Sequence, residues 1–439
     1  MAKEKRDPMG AALGVLNRVA GLGLLDRLGL RKPVERGLYQ ATRAGFRTAA
    51  ATSRTFTAAS KLGQPARLPK APEQDLFDIT PTDEQKMIVD TVREFAAEQV
   101  RPVAPDADAK CEAPQGLVSA AAELGVTLMG VPEELGGVGA ERSAVTSVLI
   151  AEALAHGDMG IAVACLAPAA VANALVEWGD AEQQSTYLPA LTGENAPAAA
   201  LTVQEGQPLF DPFALRTKAY RTADGFRLTG VKTMVPRVGQ AELFVVAADL
   251  DGRGPALFVV ESGSAGLSVE ADPSMGLRAA GLGTLHLDNV AVPASALLGG
   301  GDPAVYADCV RLGRLGWCAL AVGTAQAVLD YVIPYVNERE AFGEPVSHRQ
   351  GVAFMVADIG IELEGMRLVT YRAAGRAEQG KPFARETALA RKLCADKGMR
   401  IGLDGVQLLG GHGFVKEHPV ERWYRDLRAI GLAEGTLLV

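Results

Sequence analysis

Apolar residues change their spacing twice along this chain of 439 residues. From about residue 80 to 196 they recur every three or four positions, which is typical of helices with one buried face. Between about 200 and 300 they alternate with polar residues and are separated by Asp-Gly and Gly-rich turns, as in short antiparallel strands. Beyond residue 300 the helical spacing returns. The pattern therefore predicts helices, then a small antiparallel β domain, then a helical bundle.

The segment Thr80-Pro81-Thr82-Asp83-Glu84 supplies a helix start, with a capping hydroxyl, a proline in the first turn and early acids. Two later helices have long apolar faces suited to a bundle. The first face contains Leu312, Leu315, Ala319, Val322, Gln326, Leu329 and Ile333, and the second contains Val352, Met355, Val356, Ile359, Leu363, Met366 and Thr370. Gln326 is the single polar residue in the first face. We expect both faces to contribute to contacts between subunits as well.

The charge is distributed unevenly along the chain. Residues 1–70 contain 14 Lys and Arg against 4 Asp and Glu, a net charge of +10, whereas the remainder contains 30 against 48, a net charge of −18. The first segment is predicted to be a basic, amphipathic arm that either packs on the body or a neighbouring subunit, or attaches peripherally to anionic lipid. A transit peptide also fits its Arg and Thr content, but Glu4 and Asp7 count against it. Four regions are predicted: an arm with its linker over 1–75, a helical domain over 76–198, a β domain over 199–300 and a helical bundle over 301–439.

Several classes of protein are disfavoured by composition. The acidic body does not suit nucleic acid binding, and no uninterrupted run of about 18 to 20 apolar residues predicts a membrane-spanning helix. The five cysteines include no CxxC pair and follow no secretory signal, so we expect reduced thiols and a cytoplasmic location. Scattered histidines and cysteines predict no metal site. Signatures of dinucleotide-binding folds, P-loops and Ser hydrolases are absent from the sequence.

The motifs that carry chemistry lie near the C-terminus. They are the run Gln407-Leu408-Leu409-Gly410-Gly411-His412-Gly413-Phe414, the run Pro419-Val420-Glu421-Arg422-Trp423-Tyr424-Arg425-Asp426, and Ala433-Glu434-Gly435-Thr436. With these motifs the sequence resembles the acyl-CoA dehydrogenase family. Further matches follow in the family's order: Glu133-Glu134-Leu135-Gly136-Gly137, Met275-Gly276-Leu277-Arg278, Val290-Ala291-Val292-Pro293 and Glu338-Arg339-Glu340-Ala341-Phe342-Gly343. The resemblance covers about residues 76 to 439.

The resemblance implies a mostly α, α+β fold, with an N-terminal helical domain, a central antiparallel β domain and a C-terminal four-helix bundle. It also implies an FAD cofactor held between domains and between subunits, an acyl-CoA substrate, and an electron-transfer flavoprotein or similar acceptor. Homodimers or homotetramers are expected on the same ground, and lipid or fatty acid metabolism is the expected context.

Glu434 is the candidate catalytic base, because the family's catalytic glutamate in its Glu-Gly-Thr motif falls on this residue. Removal of the proton α to a thioester carbonyl needs a carboxylate in a water-poor slot, where desolvation raises its pKa. The apolar neighbours Leu432 and Ala433 and the small Gly435 suit such a slot. The alternative is an exposed glutamate in a C-terminal turn. By resemblance, the backbone amide of the base helps to stabilise the thioester enolate, and the β-hydrogen leaves as hydride to flavin N5.

The resemblance also assigns residues to cofactor and substrate. The cofactor-binding set is Thr202, Arg339, Phe342, Gln350, Gln407, Gly410, Gly411 and Thr436. In it, Arg339 binds the pyrophosphate with Phe342 packed beside it, Gln407 and the glycine pair approach the adenosine half, and Thr436 lies near the flavin phosphates. Arg314 matches an arginine near the CoA moiety. Alternative interpretations are a solvated, salt-bridged Arg339, a helix stop for the glycines, and a surface role for Arg314.

Two segments depart from the family's pattern. Over 202–211 only Thr202 matches the family's loop above the flavin, and the loop is predicted to be about two residues longer. Over 232–237 the family's aromatic ring and hydroxyl are replaced, as Lys232-Thr233-Met234-Val235-Pro236-Arg237 shows. The sequence also ends three residues after Thr436, where the family continues into a further helix. Two alternatives to the dehydrogenase therefore stay open: an acyl-CoA oxidase, and a non-catalytic subunit that binds acyl-CoA or flavin.

Overall fold

The structure is a computed structural model, and it describes residues 80–128, 130–137, 143–193, 196–272 and 274–437. The basic arm predicted over residues 1–75 lies outside the described residues. Asp78–Val439 forms one compact unit. Its elements follow the predicted order of helices, sheet and helices, so the fold class inferred from the spacing of apolar residues is confirmed.

Within the described residues, six α-helices precede the sheet. They are α1 (Asp83–Phe95), α2 (Arg101–Lys110), α3 (Gln115–Glu123), α4 (Ala144–Ala155), α5 (Met159–Trp178) and α6 (Ala181–Leu191), with one π-helical turn at Ala96–Val100 between α1 and α2. The first begins two residues later than a cap at Thr80 would place it. Thr82 is its N-cap, since its hydroxyl accepts the Gln85 N–H while the Gln85 side chain accepts the Thr82 N–H.

The central sheet contains eight strands. They are β1 (Ala198–Thr202), β2 (Lys218–Arg221), β3 (Gly225–Val235), β4 (Ala241–Leu250), β5 (Pro255–Glu261), β6 (Leu267–Ala271), β7 (Gly283–Pro293) and β8 (Leu297–Leu298). The strand order is β6-β7-β3-β2-β4-β5-β8, and β1 pairs with β4. Most pairs are antiparallel, as predicted, but β4 pairs in parallel with both β1 and β2. The sheet is therefore mixed at its centre.

Four α-helices follow the sheet in the part of the chain that the structure describes. They are α7 (Pro303–Glu338), α8 (Gln350–Glu378), α9 (Ala384–Leu408) and α10 (Val420–Leu427), and the short hairpin of β9 (Glu340–Ala341) and β10 (Glu344–Pro345) joins the first two. The apolar faces predicted for two helices lie on α7 and α8. Leu315, Ala319 and Val322 of the first, with Leu363 and Met366 of the second, are buried in one core that includes α4 and α9.

The polar residue in the α7 face has a structural partner on α8. Gln326 Oε1 accepts a hydrogen bond from Arg367 at 2.7 Å, and Gln326 Nε2 donates to Asp330 at 2.7 Å. Arg367 also pairs with the buried Glu152 of α4 at 3.0 Å. Gln326 therefore helps to satisfy a polar group that links three helices, which an unbroken apolar face could not do.

Two of the described helices are long and apolar enough, by length and composition alone, to cross a membrane. They are α5 and α7, and 72% and 61% of their most apolar windows are buried inside the protein. The expectation that no such segment exists was based on uninterrupted apolar runs, and Asn173 interrupts the run in α5. Core helices of water-soluble proteins have the same composition, so this observation is weak evidence for a membrane span.

Buried charges join the three structural regions. Asp158, the N-cap of α5, accepts a hydrogen bond from Arg422 of α10 at 2.8 Å, and both side chains are buried. Asp426 on the same helix accepts the N–H of Leu277, which belongs to the β region, at 2.6 Å. These contacts place the N-terminal helices, the sheet and the C-terminal helices around one polar cluster.

Candidate active site

A cleft of about 290 Å³ runs between α4, α5, α7 and the strands β1 and β3. Its walls are mainly apolar and rich in alanine. Its lining includes Ile150 and Ala151 of α4, Val163 and Ala167 of α5, Val203, Gln204, Thr233 and Met234 from the β region, and Gly313, Trp317, Ala433 and Glu434. An elongated apolar cleft with a few polar groups is the usual form of a small-molecule site.

Glu434 lies in this cleft on the turn that follows α10. It is a non-glycine residue in the left-handed region, with φ of 53°, and Gly435 after it has φ of 110°. The residue as a whole is half-buried, but its carboxylate atom Oε2 is enclosed and has no hydrogen-bond partner among the residues that the structure describes. The interpretation of Glu434 as an exposed surface residue is therefore wrong.

The enclosure of Glu434 changes its proton affinity. Burial raises the pKa of the carboxyl to about 7, while the positive charges of Arg314 and Arg391 and the Trp317 indole oppose the rise. Burial therefore makes the ionised carboxylate unfavourable, and the two arginines and the indole offset part of that effect. A carboxyl group whose pKa lies near neutrality is poised to accept a proton at physiological pH.

The turn is held by groups from two other parts of the chain, helix α7 and the loop over 202–211. Arg314 Nε and Nη2 donate to the Glu434 carbonyl oxygen at 3.2 and 2.9 Å. The Gly435 N–H donates to Gln204 Oε1 at 3.2 Å, and the Thr436 N–H donates to the Phe210 carbonyl oxygen at 2.9 Å. The backbone around the base is therefore fixed in a conformation that few non-glycine residues adopt.

These contacts change the role of Arg314. Sequence reasoning placed it near CoA, or at the surface, but its half-buried guanidinium is directed at the Glu434 carbonyl. Burial lowers the pKa of Arg314, and the Glu434 charge opposes that change. The assignment of Arg314 to the substrate is therefore replaced by a role in holding the turn.

The backbone N–H of Glu434 donates to no acceptor among the described residues, whereas the amide groups of Gly435 and Thr436 are both bonded. An unpaired N–H beside a candidate base can donate to a carbonyl oxygen that gains negative charge. The geometry thus leaves available the amide that the family resemblance assigns to the enolate.

Gly313 of α7 makes space for the carboxylate. A Cβ atom built on Gly313 would lie 2.2 Å from Glu434 Oε1 and 2.5 Å from Oε2. A side chain at this position would displace the base. In contrast, a Cβ on Gly316, one turn along the same helix, would meet no heavy atom within 4 Å.

A second cavity brings together several predicted cofactor residues. Its lining includes Arg339, Gln407, Gly410 and Gly411, with Tyr335 and His412 beside them. The Arg339 guanidinium has no ion pair or hydrogen bond among the described residues, so the salt-bridge interpretation is not supported. A Cβ on Gly410 or Gly411 would meet nothing within 4 Å, which leaves the backbone open for a ligand. Gly410 also has φ of 58° directly after the C-cap of α9, so it ends the helix as well.

The four other predicted cofactor residues, Phe342, Gln350, Thr436 and Thr202, line neither of these cavities. Phe342 is 96% exposed, and its ring contacts the Arg349 guanidinium at 5.8 Å, so the expected packing beside Arg339 is not observed. Gln350 is exposed at the first residue of α8. Thr436 is half-buried, and its N–H donates to Phe210 in the loop over 202–211. The proposed contacts of Gln350 and Thr436 with the cofactor stay predictions.

Thr202 points away from the cleft. Its buried hydroxyl donates to the Val245 carbonyl oxygen at 3.2 Å, while Leu201 and Val203 on either side line the cleft. Side chains alternate along a strand, so the residue between two cleft-lining positions faces the opposite way. The assignment of Thr202 to the cofactor is therefore not supported.

The two atypical segments are joined to each other. Lys232 Nζ, fully buried, donates to Glu205 at 2.8 Å and to the Val203 carbonyl oxygen at 3.2 Å. Glu205 also accepts the N–H groups of Arg216 and Thr217. This buried pair, which sequence reasoning missed, fixes the loop over 202–211 against the strand that continues into 232–237.

Sequence reasoning missed four further residues in the site. Gly313 and Trp317 lie within the helix whose apolar face was recognised, and Gln204 lies in the loop regarded as degenerate. Arg391 of α9 was not selected, although its Nη2 atom donates to the Ala433 carbonyl oxygen at 3.0 Å. The available signal was the position of Arg391 on the buried face of its helix, between Ala390 and Cys394.

Comparison with protein families gives three matches in sequence order. Residues 82–195 match the acyl-CoA dehydrogenase N-terminal domain, 198–290 its middle domain, and 304–438 its C-terminal domain. Together these matches cover most of the described residues.

Individual relatives agree with the domain matches. The chain is 33% identical over 363 residues to the short/branched chain specific acyl-CoA dehydrogenase of Rattus norvegicus, a mitochondrial protein, over 81% of this chain and 83% of that protein. It is similar to the solved structure of butyryl-CoA dehydrogenase from Megasphaera elsdenii, with 28% identity, a TM-score of 0.77, and coverage of 82% and 97%. A structure described for the electron transferring flavoprotein of Acidaminococcus fermentans matches with 29% identity, the same TM-score and the same coverage.

Proposed function

Because this chain belongs to the acyl-CoA dehydrogenase family, whose members are FAD-dependent oxidoreductases acting on CH–CH bonds, we propose that it converts an acyl-CoA thioester to the 2-enoyl-CoA with Glu434 as base. The observation that supports this most directly is the enclosed Oε2 of Glu434, which lies in an apolar cleft and has no hydrogen-bond partner in the described part of the chain.

In the proposed reaction the Glu434 carboxylate accepts the proton from the α-carbon. The Glu434 N–H donates to the thioester carbonyl oxygen as negative charge develops on it. When bound, FAD accepts the hydride that leaves the β-carbon, so the substrate loses two electrons and two hydrogens. The apolar walls of the cleft exclude water, which keeps the carboxyl pKa near neutrality and the base effective.

The second cavity fits the distal part of such a cofactor. Arg339 offers an unpaired planar guanidinium, which suits a pyrophosphate, and the backbone at Gly410 and Gly411 is open to close approach. Gln407 adds an amide that can bond to polar groups of the adenosine half. These residues would hold the cofactor while the cleft positions the acyl chain.

We further propose an electron-transfer flavoprotein or a similar carrier as the electron acceptor. The alternative is oxygen, as in an acyl-CoA oxidase. Peroxide measured during turnover, with and without an artificial electron acceptor, distinguishes these two. A flavin spectrum of the purified protein tests the non-catalytic alternative, since a colourless preparation with no acyl-CoA turnover would favour it.

Glu434→Gln tests the base directly. The amide is nearly isosteric but cannot accept the α-proton, so the rate of flavin reduction by butyryl-CoA should fall by about 10² to 10⁴-fold. The measurement is anaerobic stopped-flow absorbance of the flavin in the purified holoenzyme.

Two controls accompany this substitution. The FAD content of Glu434→Gln should match that of the wild type, because the cavity around Arg339 is unchanged. Glu364→Gln removes a carboxylate from the exposed side of α8 and should reduce its flavin at the wild-type rate. Rapid flavin reduction by Glu434→Gln would refute the assignment of the base.

A further inference from the structure

Arg391 is a buried arginine that contacts the turn carrying Glu434. Arg391 is only 5% exposed, and its Nη2 atom donates to the carbonyl oxygens of Ala433 and Gly435. These carbonyls belong to the residues on either side of the base. With the two bonds from Arg314 to the Glu434 carbonyl, the two guanidinium groups bind three consecutive carbonyl oxygens.

No carboxylate of the described residues lies within salt-bridge distance of Arg391. Burial lowers the pKa of Arg391 to about 10, the positive charge of Arg314 adds to this effect, and the Glu434 charge opposes it. Burying a cation without a paired anion is unfavourable. The negative charge of ionised Glu434 is therefore the charge that best compensates the buried guanidinium of Arg391.

The turn needs support because its backbone conformation is unusual. Glu434 is left-handed, and Gly435 has φ of 110° with no room for a side chain, since a Cβ there would lie 2.7 Å from Pro212. A left-handed non-glycine residue is unfavourable by itself and persists when neighbouring contacts hold it. Arg391 supplies contacts on both sides of that residue.

We propose that Arg391 is a positioning residue for Glu434: it holds the turn through the Ala433 and Gly435 carbonyls, keeps the carboxylate against Gly313, and favours its ionised form through its positive charge. This inference rests on the proposed role of Glu434 as the base. It assigns a function to a residue that touches neither substrate nor cofactor in the proposed reaction.

Three variants separate charge from packing. Arg391→Gln removes the charge, Arg391→Lys keeps it, and Arg400→Gln removes the same charge from an exposed position on the same helix.

In the wild-type holoenzyme, flavin reduction by butyryl-CoA should rise with pH to half its maximum near pH 7, because the base must be ionised. In Arg391→Gln that midpoint should move up by about one pH unit, since a nearby opposite charge typically lowers a carboxyl pKa by 1 to 3 units. Arg391→Lys and Arg400→Gln should keep the wild-type midpoint.

A second readout does not depend on turnover. The folded pKa of Glu434 is raised above its unfolded value, so its ionisation reduces stability progressively as the pH rises from about 4.5, and the loss is complete above about 7. The loss of stability is measured as the difference in Tm between the protein with Glu434 and the same protein with Glu434→Gln, at each pH and in both the wild-type and the Arg391→Gln backgrounds. With Arg391→Gln the loss should become complete about one pH unit higher.

The outcomes decide between the proposals. A Tm difference that levels off at the same pH in the Arg391→Gln background as in the wild-type background would overturn the positioning role, whatever the enzyme does with acyl-CoA. Rapid flavin reduction by Glu434→Gln would instead show that Glu434 is not the base. The Tm comparison would then still test whether Arg391 favours the ionised form of Glu434. If Arg391→Gln does not fold, Arg391→Lys can still test the proposal. A shift of one pH unit in the midpoint of flavin reduction by Arg391→Lys would contradict the role of the charge.

Discussion

At Gly313 the absence of a side chain determines where the base can lie. The Glu434 carboxylate occupies the space that any Cβ on Gly313 would take, at 2.2 Å from Oε1. Real Cβ atoms do not approach oxygen so closely, so either the helix or the carboxylate must move. Because the carboxylate ends a side chain and α7 is packed on several helices, we expect the carboxylate to move.

Gly313→Ala should therefore slow flavin reduction by butyryl-CoA by about 10²-fold, because a displacement of about 1 Å at a reacting group can cost that much. Gly360→Ala on α8 is the matched control, since its Cβ meets only Leu329 Cδ2, at 4.0 Å, the residue lines neither cavity, and both changes favour a helix equally. Stopped-flow absorbance of the flavin measures both. Equal rates in the two variants would show that Gly313 does not set the position of Glu434.

Motif residues were the part of the site that the sequence could predict. Glu434 and Arg339 were identified by their motifs, and both lie in cavities. Arg314 was misassigned because its partner is a backbone carbonyl 120 residues away, and a backbone carbonyl leaves no trace in a sequence. Thr202 was selected by its motif alone, and a motif does not show which face of its strand a side chain takes; here the hydroxyl is bonded to the Val245 carbonyl oxygen.

Helix α8 has two apolar faces, and only one of them is buried against other described residues. The predicted face, which includes Ile359 and Leu363, is buried in the core. On another side, Phe354, Ile361 and Leu368 are 60%, 69% and 50% exposed at a spacing of seven residues. That spacing is typical of helix pairs. We therefore propose that a homo-oligomer forms through this second stripe rather than through the predicted face.

Ile361→Glu should weaken self-association, because a carboxylate buried between two apolar helices would lose its hydration. Light scattering coupled to size-exclusion chromatography measures the mass of the particle, and circular dichroism checks the fold. Met87→Glu is the control, as Met87 is also strongly exposed but lies on α1. An unchanged mass for Ile361→Glu would exclude this stripe as the interface.

The periodicity of apolar residues predicted the type and order of the elements, because each element buries one face and that face repeats at the period of its backbone. It did not predict the parallel pairs of β4 with β1 and β2. Which strands become neighbours depends on how the chain returns across the sheet, and that path is decided by packing between distant elements such as α5 and β1.

The whole molecule combines a basic segment with an acidic body, since residues 1–70 carry a net charge of +10 and the remainder −18. We propose that the basic arm attaches peripherally to anionic lipid. Each basic residue near such a surface contributes about 1 kcal/mol, and the attraction is screened by salt.

Vesicle flotation tests this proposal. The full chain should float with vesicles containing phosphatidylserine but not with neutral phosphatidylcholine vesicles, and less at 0.5 M salt, roughly where the Debye length falls below 5 Å. Deletion of residues 1–70 should abolish flotation and leave flavin reduction unchanged. If the shortened chain floats equally well, the arm has another role, such as packing on the body or on a second subunit.

The buried pair of Asp158 and Arg422 also has a consequence for the making of the protein. The two residues are separated by 264 positions in the sequence. At about 5 to 20 residues per second, a ribosome adds Arg422 roughly 13 to 50 s after Asp158. During that interval the first helices lack the cation that neutralises the cap of α5, and burying an unpaired carboxylate is strongly unfavourable. We therefore expect the helices around Asp158 to complete their packing only after Arg422 has been added.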